Sequence, residues 1–474
     1  MSATSRYDLV VIGSGPAGEK AATTAASLGR RVVLIEKDPY IGGASTNTGT
    51  LPSKTFRETS LALSGWKTRN LFGMDVNLSL HRKATLQDFM YHEESVKMQE
   101  RARVRAELEF WKVDYVEGMA SFVDPQTLKV TGKLGDQLVT ADFILLATGS
   151  SPMRPAIFDF ADNRIHDSDE ILGLERLPGS IAIVGAGVIG SEYACTFAAL
   201  GVETHMLDGR DILLSYLDRE VSTALTKEFE RLGILFHRPV KVIGCAVQPS
   251  GKVKLECDPG PPLEVDQVLV AAGRCSNVEK LNLTAAGITP GPRGLIAVDE
   301  TYRTSVPHIF AAGDIIGSPA LAATSAEQGR IAVHHAFSES SKLKLTTVLP
   351  TGIYTIPEVS MIGETEESLK LKNIPHVTGR ADYNQTVRGQ IIGDSAGFLK
   401  LIFSDDEAMK LLGAHCMGEI ASEVIHIGLL AMVTGAGREL FEASCFNYPT
   451  LGDLYKIATF DAACKRGGAK RPNS

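Results

Sequence analysis

Two glycine patterns in the 474-residue chain have the spacing of a phosphate cradle. In the first, Gly13-Ser14-Gly15-Pro16-Ala17-Gly18, Gly13 permits a tight turn and Gly15 removes a side chain where backbone amides would approach a pyrophosphate. Gly18 lets the following helix lie close to its strand, and Pro16 belongs to the same cofactor-binding run. The helix start then presents its positive dipole end to the phosphates. Glu36, closing the next strand-like run, is placed to accept hydrogen bonds from an adenosine ribose, with Lys37 beside it. The second pattern, Gly185-Ala186-Gly187-Val188-Ile189-Gly190, repeats the arrangement, and its acid is Asp208. An aspartate there suits a ribose 2′-hydroxyl and repels a 2′-phosphate, whereas Arg210 can pair with that phosphate bidentately. Either the two trade roles, with dual and unequal affinity, or this is a plain NAD site and Arg210 faces solvent. Two cradles imply two dinucleotides.

Each cradle needs a strand before it and a helix after it. Tyr7–Ile12 is a buried-strand pattern, Glu19–Leu28 an Ala-rich helix and Arg31–Ile35 the next strand. The second unit runs Ser180–Val184, a helix through Leu200, then Val202–Leu207. Three further apolar runs stop at a glycine where backbone can approach a ligand: Ala147-Thr148-Gly149, Gly273-Arg274 and Gly313-Asp314. Leu86–Trp111 reads as a long helix with Val96, Val104, Leu108 and Trp111 near one face. Its Arg101, Arg103 and Arg105 read as a solvated face. From about Leu349 strand-like runs and amphipathic helices continue without a cradle, and the tail beyond Cys464, with Lys465, Arg466, Lys470 and Arg471, reads as frayed.

Composition narrows the classes. With 44% hydrophobic and 22% charged residues the chain is globular, and a net charge of −8 argues against nucleic acid as a partner. No apolar run reaches the roughly 18–20 residues of a membrane span, and Met1–Arg6 has no apolar signal core, so a cytoplasmic location is expected. Seven cysteines, at 195, 245, 257, 275, 416, 445 and 464, include no Cys-x-x-Cys, which predicts neither a disulfide framework nor a metal site.

At Gly42-Gly43-Ala44-Ser45-Thr46-Asn47-Thr48-Gly49-Thr50-Leu51-Pro52-Ser53-Lys54 the chain resembles the flavoprotein disulfide reductases, and the likeness extends over nearly its whole length. The resemblance implies an α/β fold with two Rossmann-like dinucleotide-binding domains, for FAD and NAD(P), plus a C-terminal α+β dimerisation domain. The expected limits are 1–154 and 280–346 for FAD, 155–279 for NAD(P) and 347–474 for a homodimer or higher homo-oligomer. It also implies that Gly43, Ser45, Thr50 and Lys54 lie at the flavin, that Glu192 pairs with Lys54 beside flavin N5, and that Asp314 bonds the ribitol. A helix beginning near Ala323 would direct its N-terminus at the flavin N1–C2=O edge, where its dipole stabilises negative charge.

The departures select a function. Disulfide reductases carry a cysteine pair where this chain has Ser45 and Thr50, and hydroxyls supply neither a disulfide nor a thiolate. Their C-terminal His-x-Pro motif is here Phe446-Asn447-Tyr448-Pro449-Thr450-Leu451-Gly452-Asp453, and a tyrosine of pKa near 10 is a poor proton shuttle. Disulfide reduction is therefore excluded, while the hydride half remains. Pro350–Glu358, His426-Ile427-Gly428 and Phe446–Thr450 resemble the soluble pyridine nucleotide transhydrogenase branch, although that branch often keeps a cysteine at position 45. The implied activity is a Si-specific NAD(P)+ transhydrogenase working ping-pong through one nicotinamide site, with NAD(H) and NADP(H) as substrates. Two alternatives stay open: a reductase passing electrons to a quinone, dye or oxygen, and a non-catalytic flavoprotein.

Overall fold

The computed structural model describes residues 5–63, 86–133, 135–338 and 340–468. The first sheet takes strands β1 (Ser5–Ile12), β2 (Val32–Glu36), β3 (Asp114–Glu117), β4 (Met119–Asp124), β5 (Thr127–Gly132) and β6 (Gly135–Leu146), in the order β3-β2-β1-β6-β5-β4. Val10, Val11, Val33 and Leu34 are all buried, as expected of parallel strands covered on both faces. A second, wholly parallel sheet follows: β7 (Ile165–Asp167), β8 (Ser180–Val184), β9 (Glu203–Leu207), β10 (Leu235–His237) and β11 (Gln267–Val270), ordered β10-β9-β8-β11-β7. The chain then returns to the first sheet, where β12 (Ile309–Ala311) runs parallel to the last residues of β6. Last comes an antiparallel sheet of β13 (Thr351–Ile353), β14 (Val359–Gly363), β15 (His376–Asp382), β16 (Phe398–Ser404) and β17 (Leu411–Met417), ordered β13-β14-β17-β16-β15.

The helices that matter for function are α1 (Pro16–Ser27), α2 (Gly43–Asn47), α3 (Thr50–Leu63), α4 (Leu86–Phe110), α5 (Val188–Ala199), α6 (Arg219–Arg231), α7 (Ala322–Phe337), α8 (Ala421–Val433) and α9 (Asp453–Arg466). The first helix starts at Pro16 rather than Glu19, because extended Gly15 is its N-cap and the proline ring presets the first helical φ. The two cradles share the same turn geometry. Gly13 and Gly185 both have φ +105°, and an added Cβ would lie 2.3 Å from Ala147 O in one case and 2.5 Å from Ala271 O in the other. The neighbouring strand end therefore dictates glycine at both turns.

Two surface expectations change. Arg101 is not solvated: its Nε donates to Asn47 Oδ1 at 2.7 Å and its guanidinium lies 4.1 Å from the Tyr40 ring centre, so α4 braces α2. Lys465 and Arg466 are held in α9, by Asp461 at 2.8 Å and Asp405 at 3.2 Å, because the last helical turn favours cations. Lys470 and Arg471 lie outside the described residues. Among those residues, no helix is long and apolar enough to cross a membrane.

Candidate active site

Residues from around these three sheets line a shared cavity of about 1200 Å³. The first cradle and Glu36, Lys37 and Tyr40 form one end; α2, α3 and the start of α7 form the floor; Val188, Ile189 and Glu192 of α5 meet Tyr354 and His426 at the other end. Its size exceeds that of a pocket for a drug-sized molecule and suits an extended ligand. The floor is shaped by missing side chains, since a Cβ on Gly43, at φ +60°, would lie 2.7 Å from Gly15 Cα. Gly149 has φ +67° and open space where its Cβ would stand. A dinucleotide backbone fits a groove floored this way.

Lys54 and Glu192 are 138 positions apart and meet here. Lys54 Nζ donates to Glu192 Oε2 at 2.6 Å, and the backbone N–H of Tyr354 donates to Glu192 Oε1 at 2.9 Å. The Tyr354 ring centre lies 5.0 Å from Nζ. Lys54 keeps 26% of its side chain exposed against 8% for Glu192, so the ammonium faces the cavity while the carboxylate backs it. Phe56 packs edge-on against Phe197, ring centres 5.7 Å apart, which seats α3 on α5.

Ser45 and Thr50 line the same space, Ser45 Oγ donating to Gly42 O at 3.3 Å and Thr50 opening α3. Among the described residues lining the cavity there is no cysteine. Cys195, near Glu192 in sequence, is buried in α5, and burial pushes its thiol up to about 12. Tyr448 is exposed and does not line this cavity.

A second set of contacts ties the strand ends together. Ser150 Oγ donates to Asp314 Oδ2 at 2.7 Å, and Arg274 donates through Nε to Ser150 Oγ at 2.8 Å and through Nη2 to Ser150 O at 2.7 Å. Thr148 Oγ1 donates to Asn277 O at 2.7 Å, and Gly313 N–H to Gln328 Oε1 of α7 at 2.8 Å. Ala147, Thr148, Gly149, Arg274, Gly313 and Asp314 all reach the cavity, whereas Gly273 does not line it. Burial raises the Asp169 carboxyl, which faces Arg274 at 3.5 Å.

The acids of the two cradles do the same thing. Glu36 Oε2 accepts from Ser14 N and Oγ at 2.8 and 2.6 Å, and Asp208 Oδ2 accepts from Ala186 N at 2.7 Å. Only the second acid holds an arginine. Arg210 donates to Asp208 Oδ1 through Nε and to Oδ2 through Nη2, both at 3.0 Å. Burial opposes ionisation of Asp208, yet Arg210 and the Ala186 and Arg210 amides hold its carboxyl below the usual range. Arg210 is thus neither free for a phosphate nor simply solvated, although its side chain stays 55% exposed. Gly185, Gly187, Gly190, Asp208 and Arg210 lie beyond the main cavity, joined to it through Val188 and Ile189.

Sequence reasoning missed Ser14, Ser150, Asn277, Gln328 and Tyr354. Ser14 sits inside the first cradle and Tyr354 inside a quoted motif, but a backbone N–H, which is Tyr354's contribution to Glu192, has no residue-type signal.

Two family models match the chain: pyridine nucleotide-disulphide oxidoreductase over residues 7–329, and the dimerisation domain of the same name over 349–458. The soluble pyridine nucleotide transhydrogenase of Mycobacterium tuberculosis is 42% identical over 461 residues, covering 97% of both chains. That of Colwellia psychrerythraea is 38% identical over 462 residues, covering 96% of this chain and 97% of its own. Among solved structures, LpdA from Mycobacterium tuberculosis superimposes with a TM-score of 0.87 at 25% identity, covering 96% of this chain and 99% of that one. The HOCl-induced flavoprotein disulfide reductase RclA from Escherichia coli gives 0.86 at 24%, with the same coverage, and bears on the fold alone.

Proposed function

The chain belongs to the pyridine nucleotide-disulphide oxidoreductase family, and from that premise we propose that it is an FAD-dependent NAD(P)+ transhydrogenase, of the Si-specific type, moving hydride between NADPH/NADP+ and NAD+/NADH. The observation that carries this reading is a cavity in which Lys54 and Glu192 meet at 2.6 Å while Ser45 and Thr50 stand where thiols would be needed. FAD, when bound, supplies the two-electron carrier that accepts hydride from one nicotinamide and gives it to another.

In this reading residues 1–154 and 280–346 hold FAD, 155–279 the nicotinamide dinucleotide and 347–474 a second copy of the chain, in the cytoplasm. The turn at Gly15 and the start of α1 take the FAD pyrophosphate, Glu36 its ribose and Asp314 its ribitol, with α7 directed at the N1–C2=O edge. Lys54 Nζ directs positive charge at N5, and Glu192, fixed by the Tyr354 amide, keeps that amine in place. Gly185–Gly190 take the pyrophosphate of either nicotinamide dinucleotide in turn. Arg210 leaves Asp208 to meet a 2′-phosphate and stays paired when the 2′ group is a hydroxyl, which gives one site two unequal affinities. No acid or base is required, because hydride arrives and leaves without net proton transfer.

The test is a steady-state assay of the purified holoenzyme with NADPH and NAD+ varied together, beside arms with a quinone, a dye and oxygen. NADH formation with parallel double-reciprocal lines is expected. Quinone or dye reduction without NADH formation would place the electron exit elsewhere.

A further inference from the structure

One turn after Lys54 on the same helix, Arg57 is buried and does not line the cavity. Arg57 Nε donates to Thr355 O at 3.0 Å, and Arg57 Nη1 lies 3.3 Å from Glu358 Oε1. Glu358 is buried too; its Oε2 accepts from Ser422 Oγ at 2.9 Å and from Ser422 N at 3.4 Å, in the first turn of α8. Arg57 also bonds Glu58, its neighbour. Thr355 directly follows Tyr354, whose amide holds Glu192. Two adjacent residues therefore grip both partners of the Lys54–Glu192 pair: Tyr354 through its N–H takes Glu192, and Thr355 through its C=O takes the helix of Lys54.

A buried ion pair gains little stability over apolar side chains of equal volume. What a planar guanidinium supplies and a leucine does not is direction, because its donors leave at fixed angles. Phe56 on Phe197 already seats α3 on α5 by apolar contact, which leaves sliding and rotation along that contact to be set. Arg57 sets both, since its two contacts beyond α3 lie on a carbonyl and a carboxylate of the same short segment. We propose that Arg57, acting through Thr355 O and Glu358, is a positioning residue for hydride transfer that fixes Lys54 against Glu192. The proposal rests on the reading of Lys54–Glu192 as a hydride-transfer site.

The test is a mutant cycle on the holoenzyme with Arg57→Met, Lys54→Met and the double variant. It measures flavin reduction by NADPH in stopped flow, the dissociation constant of NADP+ and the midpoint potential of bound FAD. Arg57→Met is expected to slow flavin reduction about tenfold or more while NADP+ binding changes less than about twofold, since displacement of a reacting group costs rate before affinity. In the Lys54→Met background the same change is expected to slow reduction by less than about twofold, because coupled residues are non-additive. The midpoint potential is expected to move in the direction Lys54→Met moves it, with no further shift in the double variant. Equal slowing in both backgrounds, or an unmoved potential in Arg57→Met, overturns the proposal. If Arg57→Met does not fold, Glu358→Gln, which keeps volume and the bond to Ser422, goes through the same cycle with the same outcomes. The cycle uses only the NADPH-to-flavin half, so a failure of NAD+ to act as acceptor would sink the transhydrogenase reading without touching this result.

Discussion

Two lysines from outside the second dinucleotide unit lie against its carboxylates, and their surroundings are opposite. Lys54 comes from α3, meets one acid, Glu192 of α5, at 2.6 Å, and is 26% exposed to the cavity. Lys400 comes from β16, is 3% exposed, and its Nζ lies 2.9 Å from Asp218 Oδ1, 3.1 Å from Glu220 Oε2 and in contact with Glu366. An ammonium has three donors. Lys400 spends all of them on carboxylates at the seam between α6 and the C-terminal sheet, with Asp218 also capping α6 through Glu220 N. Lys54 gives one to Glu192 and one to Ser53 Oγ at 3.3 Å, which leaves a direction toward the cavity. Saturated and sealed, such a pair is architecture; under-coordinated beside a cavity, it is chemistry.

The largest effect should come from breaking the sealed partner. Lys400→Met is expected to cost about 3–5 kcal/mol of stability in denaturant unfolding, because buried Asp218 is left without its cation while Glu220 and Glu366 keep Arg380 and Lys370. The folded fraction should retain its turnover; a variant that keeps stability and loses turnover would reverse the assignment. Lys54→Met should do the opposite. Flavin reduction by NADPH is expected to fall about 10²-fold, while stability falls by less than in Lys400→Met, since Glu192 keeps the Tyr354 N–H. Next in size, Arg210→Ala should weaken NADPH binding about tenfold by loss of a bidentate phosphate contact and leave NADH binding nearly unchanged. Equal weakening of both, measured by fluorescence titration, would remove its phosphate role.

The smallest effect is the pH response of the sealed cluster. Burial opposes the charges of Asp218 and Glu366, but Lys400 outweighs it and holds both carboxyls below their ordinary values. The unfolded chain then binds protons at higher pH than the folded one. Their stabilisation is present above about pH 4 and is lost as pH falls through the folded values. Lys400 itself is raised, burial being outweighed by Glu366 and Asp218, so its share is full below about pH 10.4 and fades above it. Asp218→Asn should flatten the acid limb of the unfolding profile relative to the parent; an unchanged acid limb would show that other carboxylates set it.

The fold was legible where local geometry forces a residue type. Gly13 and Gly185 were readable because β6 and β11 end against them, and Glu36 and Asp208 because a strand must deliver an acid to each cradle. Lys54 and Glu192 were readable only through resemblance, since 138 positions separate them and neither has local meaning. Arg101 was misread because charge alternation along α4 does not reveal that α2 and Tyr40 lie against it. The Arg57–Glu358 link and the Lys400 cluster were invisible, because long-range packing alone decides which charges are buried together.

The proposed function requires hydride to leave through a second nicotinamide and not through a thiol relay. Anaerobic stopped flow tests it in two mixes: NADPH against the holoenzyme, then NAD+ against the product. Visible flavin absorbance is expected to fall with no long-wavelength thiolate band, then to return promptly with NAD+. Flavin that NADPH bleaches and NAD+ leaves bleached, while a quinone restores its colour, would contradict it.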